Sequence, residues 1–290
     1  MAFADYIPML LRPSILLFMS IKHFILTMFE IVFQERQPSK LLNLTDLRFR
    51  SFARLWAANG EAMSVEMPGP LNSLLSQCSG LVLDIGPGSG EMLSRFNPKR
   101  IKAIYGAEPA VDLHPGLVRN ATKAGFGGKY HALLCGGEPE SLIPALAKSG
   151  VLGGNGATGG TADDGIFDEI CCVRVLCGVP TPRETVKGLY KLLKPGGRMV
   201  VCEHVVNPWR TEGRVLARVV QLVYTLLGWP FFMGGCELQR HTEVFLREAG
   251  EWEEFKLAYV DPQHAVPFIV GELKKAGALK VSEGGARSLR

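Results

Sequence analysis

The sequence predicts an α/β fold: a doubly wound sheet of seven strands, the last antiparallel, preceded by an apolar helix. Three observations carry this. Leu81–Ile85 is a short apolar run with β-branched members that opens into glycines at 86, 88 and 90, as a buried strand entering a tight turn does. Strand-like runs recur at 101–108, 129–134, 167–176 and 198–206 with helical stretches between them, and that alternation makes a parallel sheet. Thr185–Leu193 has helical spacing and is stopped by Lys194-Pro-Gly-Gly197, with Pro and Gly just beyond a basic last turn.

Composition narrows the class. A chain of 290 residues with 47% hydrophobic and 21% charged residues has apolar material for a sizeable core and is no disordered chain. The formal charge of +4 is mild, and no basic run is interleaved with aromatics, so a nucleic-acid partner is not expected. The seven cysteines are odd in number and include no C-x-x-C pair; Cys171 and Cys172 adjoin within one strand, where a mutual disulfide is awkward. They read as reduced thiols facing the cytosol, with no zinc site.

Taken in order, Pro13–Phe33 is apolar for about 21 residues, roughly 30 Å as a helix and so of bilayer thickness. Lys22 and His23 interrupt it near the middle, which is costly in hydrocarbon. Arg12, His23, Thr27, Glu30 and Gln34 fall in one stripe at 100° per residue, a pattern that suits a helix lying in the membrane interface at least as well as one crossing it. Residues 1–37 are therefore expected to anchor the chain to a membrane. Residues 38–70 read as a helical lid or linker, with Leu47, Phe49, Phe52, Leu55 and Trp56 as packing positions. The catalytic domain is expected over 71–275 and a polar tail over 276–290. The stretch from Gly150 to Gly165 reads as a Gly-rich insertion without chemistry. Arg214–Met233 is apolar and follows the fifth strand, so it should cover a cleft, as acceptor pocket, second membrane contact or simply core. Trp252–Val260 and Pro267–Lys274 read as an antiparallel pair closing the sheet.

The glycine turn selects the ligand. A dinucleotide site wants G-x-G-x-x-G, whereas Gly86, Gly88 and Gly90 give G-x-G-x-G followed by Glu91. Glu91-Met-Leu-Ser-Arg-Phe resumes with helical spacing, so a helix N-terminus is expected beside the turn. Asp84, two residues before the first glycine, would face a pyrophosphate badly but suits an ammonium. S-adenosylmethionine carries an ammonium and a sulfonium and no phosphate. Glu108 ends the next strand, eighteen residues beyond Gly90, where an acid accepts hydrogen bonds from ribose hydroxyls. The stretch Asp84–Gly90 resembles motif I of the Rossmann-like, seven-strand methyltransferases.

A narrower resemblance rests on further segments: Gly137-Glu138, Val175-Leu-Cys-Gly-Val179, Leu193–Gly197, Glu203-His-Val205 and Gly235-Cys-Glu-Leu-Gln-Arg240. From about Leu81 to Lys275, and in its N-terminal anchor, the chain is similar to the membrane-associated thiol S-methyltransferases of the methyltransferase-like family. That resemblance implies an enzyme using S-adenosylmethionine to methylate a small lipophilic molecule, with the catalytic domain facing the cytosol at the endoplasmic reticulum or a lipid droplet. It implies that Asp84, Gly86, Gly88, Gly90 and Glu108 hold the cofactor, with Glu138 at its adenine end. Arg174, where an uncharged residue is expected, and the long insertion depart from the family pattern.

A thiol or alkylamine must lose its proton before it attacks a methyl group. His204, at the end of the fifth strand, is the candidate base, and Glu203 is placed beside it to orient it or add charge; His241 and His114 are weaker candidates. No metal constellation is apparent. A tailoring step on an amine or hydroxyl in secondary metabolism fits the same features. So do two rivals: a C-methyltransferase of quinones or sterol-like lipids, and a non-catalytic membrane protein that binds the cofactor.

Overall fold

The computed structural model describes residues 3–152 and 165–277; most of the Gly-rich stretch and all but the first residues of the polar tail lie outside these. The strands are β1 (Gly80–Ile85), β2 (Ile101–Ala107), β3 (Tyr130–Leu133), β4 (Phe167–Val173), β5 (Leu193–His204), β6 (Trp252–Val260) and β7 (Phe268–Lys275). They form one sheet in the order β3-β2-β1-β4-β5-β7-β6. All neighbours pair in parallel except β7, which runs antiparallel to both β5 and β6. This is the seven-strand, doubly wound arrangement expected, with the chain reversing its direction of travel across the sheet between β1 and β4.

Period-two alternation divides the core between the two faces of the sheet. Leu83, Ile85, Ile170, Cys172, Met199 and Val201 face one side, where they pack with residues of α5 (Pro139–Lys148), α6 (Pro182–Leu192) and α9 (Thr242–Arg247). Val82, Cys171, Val200 and Cys202 face the other, against α3 (Leu71–Ser76) and α4 (His114–Lys123). The central strands are apolar on both faces because both faces are covered.

After β1 the structure departs from expectation. No α-helix follows the glycine turn; Leu93–Arg95 makes one 3₁₀ turn before Asn97-Pro98 breaks the chain. The turn therefore offers its own backbone N–H groups, without a helix terminus behind them.

A third cluster lies outside the sheet. It joins α1 (Phe3–Phe29), α2 (Leu44–Met63), α7 (Val215–Leu226) and α8 (Trp229–Phe232) through Leu10, Leu17, Leu55, Tyr224, Trp229 and Met233. The middle of the polar stripe, His23, Thr27 and Glu30, faces inward here, while Arg12 and Gln34 are exposed. Thr27 is 2% exposed, His23 Nε2 lies 3.3 Å from Asn59 Nδ2, Glu30 pairs with Arg54, and Ser20 donates to the Phe232 carbonyl. The opposite face is mostly apolar: Phe18 is 70% exposed and Ile15 63%, with Leu11, Ile25, Phe29 and Phe33 also exposed, and the exposed Lys22 interrupts it near its middle. Val215, Val219, Val223 and Leu226 of α7 are exposed as well. By length and composition α1 alone among the described helices could cross a membrane.

Candidate active site

In a doubly wound sheet a ligand binds beyond the carboxyl ends of the strands, where the winding reverses. Here that point is the end of β1, which carries Asp84 and the glycine turn. Gly86 and Gly88 both have φ 62° and Gly90 has φ 84°, a backbone conformation that favours glycine. A Cβ on Gly86 would also run into Val175, and one on Gly88 into the Trp56 indole.

The three acids expected at the cofactor stand along the heads of neighbouring strands. Asp84 is buried, and its carboxyl is raised to about 7, first by desolvation and then by Glu108 and Glu91. Glu108 is also buried and raised, chiefly by desolvation, although it accepts N–H groups from Gly88 at 3.0 Å and Ala110 at 2.9 Å. Glu138 lies just beyond β3 at the start of α5, its carboxylate over Gly136. Burial, Glu138 and Glu108 together push the nearby Cys135 thiol up to about 11. Every influence acting on Asp84 disfavours its charge, so no cation offsets it in the cofactor-free cleft. An ammonium and a sulfonium supply what is missing, and the residues present fit S-adenosylmethionine.

Beside this cleft is a cavity of about 430 Å³ with mostly apolar walls, among them Leu16 and Met19 of α1, Phe52 of α2, and Trp229, Met233 and Phe268. Its polar corner is Cys177, His204 and Cys236. His204 Nδ1 lies 3.4 Å from Cys236 Sγ, and the ligating atoms of the three residues all fall within 4.8 Å of one another. The Cys236 thiol is held well below the ordinary thiol range, first by a hydrogen bond from Cys177 and also by His204; the Cys177 thiol is correspondingly raised. The sequence reading excluded a metal constellation. The structure assembles a three-residue group from segments that are distant along the chain.

Glu203 occupies a different place from that expected. It points to the opposite side of β5 from His204, is wholly buried, and does not line the cavity. Its carboxylate accepts the backbone N–H groups of Val175 and Leu176 at 2.9 Å and Cys177 at 3.3 Å. Arg240 donates to the carbonyls of Leu176 and Val179, at 2.9 and 2.5 Å. Glu203 and Arg240 thus fix the segment that presents Cys177. Replacing Glu203 with alanine strands three buried donors and is expected to cost about 3 kcal/mol. The melting temperature should then fall by roughly 6 °C or more while the cofactor still binds; an unchanged melting temperature would refute the positioning role. His241 is exposed at the start of α9, and His114 Nε2 is engaged at 2.9 Å with the backbone oxygen of Glu108; neither reaches the cavity.

Two residues that sequence reasoning did not assign to the site border both cleft and cavity: Trp56 and Arg174. Arg174 has φ 57°, a strained value for a residue with a side chain. Its guanidinium donates to the Met63 carbonyl at 2.9 Å and Ser64 Oγ at 2.6 Å, and lies 4.9 Å from the centre of the Trp56 ring. Its unexpected charge was the one signal in the sequence that could have marked it.

A doubly wound seven-strand sheet with a buried acid cluster at its reversal point fits an S-adenosylmethionine-dependent methyltransferase. Residues 49–263 match the family described as "Methyltransferase domain", and the chain belongs to it. It is 30% identical over 99 residues to the thiol S-methyltransferase TMT1B of Rattus norvegicus, a segment covering 34% of this chain and 38% of that protein. It is 26% identical over 152 residues to a ubiquinone biosynthesis O-methyltransferase of Xanthomonas euvesicatoria, covering 50% of this chain and 54% of the other. The chain thus matches only about a third to a half of the length of these relatives. Among solved structures, a possible exported protein from Bordetella parapertussis shares the fold with a TM-score of 0.52 at 14% identity, over 89% of this chain and 96% of that one.

Proposed function

We propose that this enzyme methylates a heteroatom, foremost a thiol sulfur, of a small lipophilic molecule that reaches the site from a membrane surface. The observation that carries the reading is the apolar cavity, with its Cys177–His204–Cys236 corner, directly beside the cofactor cleft. When bound, S-adenosylmethionine supplies an electrophilic methyl group and leaves as a neutral thioether.

The chain's own residues do the rest. Asp84 and Glu108 hold the cofactor's ammonium and ribose, the backbone of Gly86–Gly90 lets it approach closely, and Glu138 takes its adenine end. Trp56 rests on Gly88, so α2 serves as a lid that moves aside for the cofactor and then excludes water from the reaction. The cavity walls align the acceptor. In the metal-free site His204 takes the acceptor's proton. The rat relative, named a thiol S-methyltransferase, supports sulfur as the first acceptor atom to test. The Xanthomonas relative, named an O-methyltransferase, makes phenols the second, and a biosynthetic tailoring step is compatible with either.

Ile15 of α1 is both an exposed residue and part of the cavity wall, so the cavity opens beside the outward apolar face. An acceptor dissolved in lipid would enter there. All seven cysteines are free thiols, which supports a reducing, cytosol-facing location at the endoplasmic reticulum or a lipid droplet.

The experiment uses detergent-solubilised protein, methyl-labelled S-adenosylmethionine and panels of alkyl thiols, amines and phenols, with mass spectrometry locating the methyl group. Transfer to thiols is expected. Methyl groups found on carbon, or on no acceptor despite cofactor binding, would overturn the reading. His204→Ala is expected to lower turnover by about 10²-fold or more and leave cofactor affinity unchanged; undiminished turnover would remove His204 from the mechanism.

A further inference from the structure

We propose that Cys177, His204 and Cys236 form a zinc site whose open coordination position faces the acceptor cavity and binds an acceptor thiol as its thiolate. The inference rests on reading that cavity as the acceptor site.

The geometry is that of a nearly assembled tetrahedron. Zinc bound at about 2.3 Å from sulfur and about 2.0 Å from imidazole nitrogen sets its ligand atoms roughly 3.5 to 3.8 Å apart. The His204 Nδ1–Cys236 Sγ separation of 3.4 Å is already at that spacing, and no pair in the triangle exceeds 4.8 Å. Rotamer adjustments of the two cysteines suffice to close the remainder.

Two thiolates and one imidazole, with a fourth position left open, are the donor set of a catalytic rather than a structural zinc site. Charge agrees with burial. Both cysteines are buried beside Trp229 and Met233. Two thiolates would be costly there alone, but with a divalent cation they form a neutral cluster. The ligands are also held from behind. The Cys177 N–H is bonded to Glu203, and the Glu237 N–H donates to the Cys177 carbonyl at 2.8 Å, tying one cysteine segment to the other. His204 packs edge-on against Phe268, with ring centroids 4.4 Å apart.

The open position is where an acceptor must lose its proton. The acceptor's sulfur binds zinc as its S–H proton passes to water. That sulfur then forms a bond to the methyl carbon as the sulfonium–carbon bond breaks, and the neutral thioether product leaves the metal. His204 serves here as a ligand, so the proton passes to solvent rather than to the imidazole.

The test uses full-length protein in detergent, purified under reducing conditions without chelator, with metal content measured by mass spectrometry. About one zinc per chain is expected, falling at least fivefold in Cys236→Ser and in His204→Ala. Cobalt(II) added to chelator-stripped protein should give a thiolate-to-cobalt charge-transfer band that Cys177→Ser and Cys236→Ser weaken. Chelation should abolish methylation of thiols, and added zinc should restore it. Substoichiometric zinc together with no charge-transfer band, in protein that binds S-adenosylmethionine and methylates thiols, would overturn the zinc site and leave the proposed function standing. Bound zinc with no methyl transfer to any thiol would uphold the metal site and overturn the thiol reading.

Discussion

Asp84→Asn is expected to weaken S-adenosylmethionine binding about 100-fold or more. The carboxylate is buried at the head of β1, and removing one partner of a buried ion pair costs about 3 kcal/mol or more. The pH dependence follows from the raised value of about 7 in the cofactor-free protein. Below pH 7 the group holds a proton that must leave before it can pair with an ammonium. Wild-type affinity should therefore rise with pH up to about 7 and level off above it, whereas the asparagine variant should show no such rise. Stability moves the other way. Because the folded-state value lies above that of an unfolded aspartate, the folded cofactor-free protein binds more protons between about pH 4 and 7, and loses stability as pH rises through that window. Asp84→Asn should thus melt higher than wild type at pH 8 without cofactor, and gain less on adding it. Calorimetric titration and thermal melts at pH 6 and 8 measure both effects. Equal affinity of wild type and variant at pH 8 would remove Asp84 from the cofactor site.

What the sequence revealed is what local chemistry encodes. Strand β1, its three glycines and Asp84 are contiguous, and Glu108 lies one strand away at a spacing that parallel pairing constrains; the register sets Asp84 opposite Gly106 and Ile85 opposite Ala107. The helix expected after Gly90 gives way to one 3₁₀ turn, for a reason partly local and partly tertiary. Asn97-Pro98 closes the stretch six residues after Gly90, and Arg95 is tied by its side chain to Asn72 and to the Ser64 carbonyl. The polar corner of the cavity was harder to see. Cys177, His204 and Cys236 belong to segments that each looked distinctive, but only the sheet and the packing of α8 bring them together. Seven cysteines without a C-x-x-C pair therefore read as reduced thiols with no zinc site. Glu203 misled because adjacency in a strand means opposite faces, so a residue next to His204 in sequence points away from it in space. Arg174 announced itself by its charge, but its contact with Trp56 depends on α2, whose placement no spacing rule predicts.

The orientation of α1 makes the second large effect, the loss of membrane binding when its outward face is charged. Helical spacing identified the polar stripe but not which way it faces. In the folded protein His23, Thr27 and Glu30 turn toward α2, leaving Leu11, Ile15, Phe18, Ile25, Phe29 and Phe33 outside with Lys22 exposed among them. A water-facing helix would show the reverse. Transfer of each such side chain from water is favourable by roughly 2 kcal/mol, so six of them would draw this face into a bilayer, with Lys22 reaching to the headgroups. A helix crossing the bilayer is harder to reconcile with α2 packed along it, because α2 brings Arg50 and Arg54 to that contact to pair with Glu35 and Glu30. We therefore expect α1 to lie in one leaflet, with α7 beside it. Phe18→Glu combined with Phe29→Glu should shift the protein from the pelleted to the supernatant fraction of a vesicle sedimentation assay, by at least tenfold in partition coefficient. Neither side chain lines the cleft or the cavity, so S-adenosylmethionine affinity in detergent should be unchanged. Undiminished pelleting of the double variant would refute insertion through this face. Protection of an N-terminal tag from protease added outside sealed microsomes would show that α1 crosses the bilayer instead.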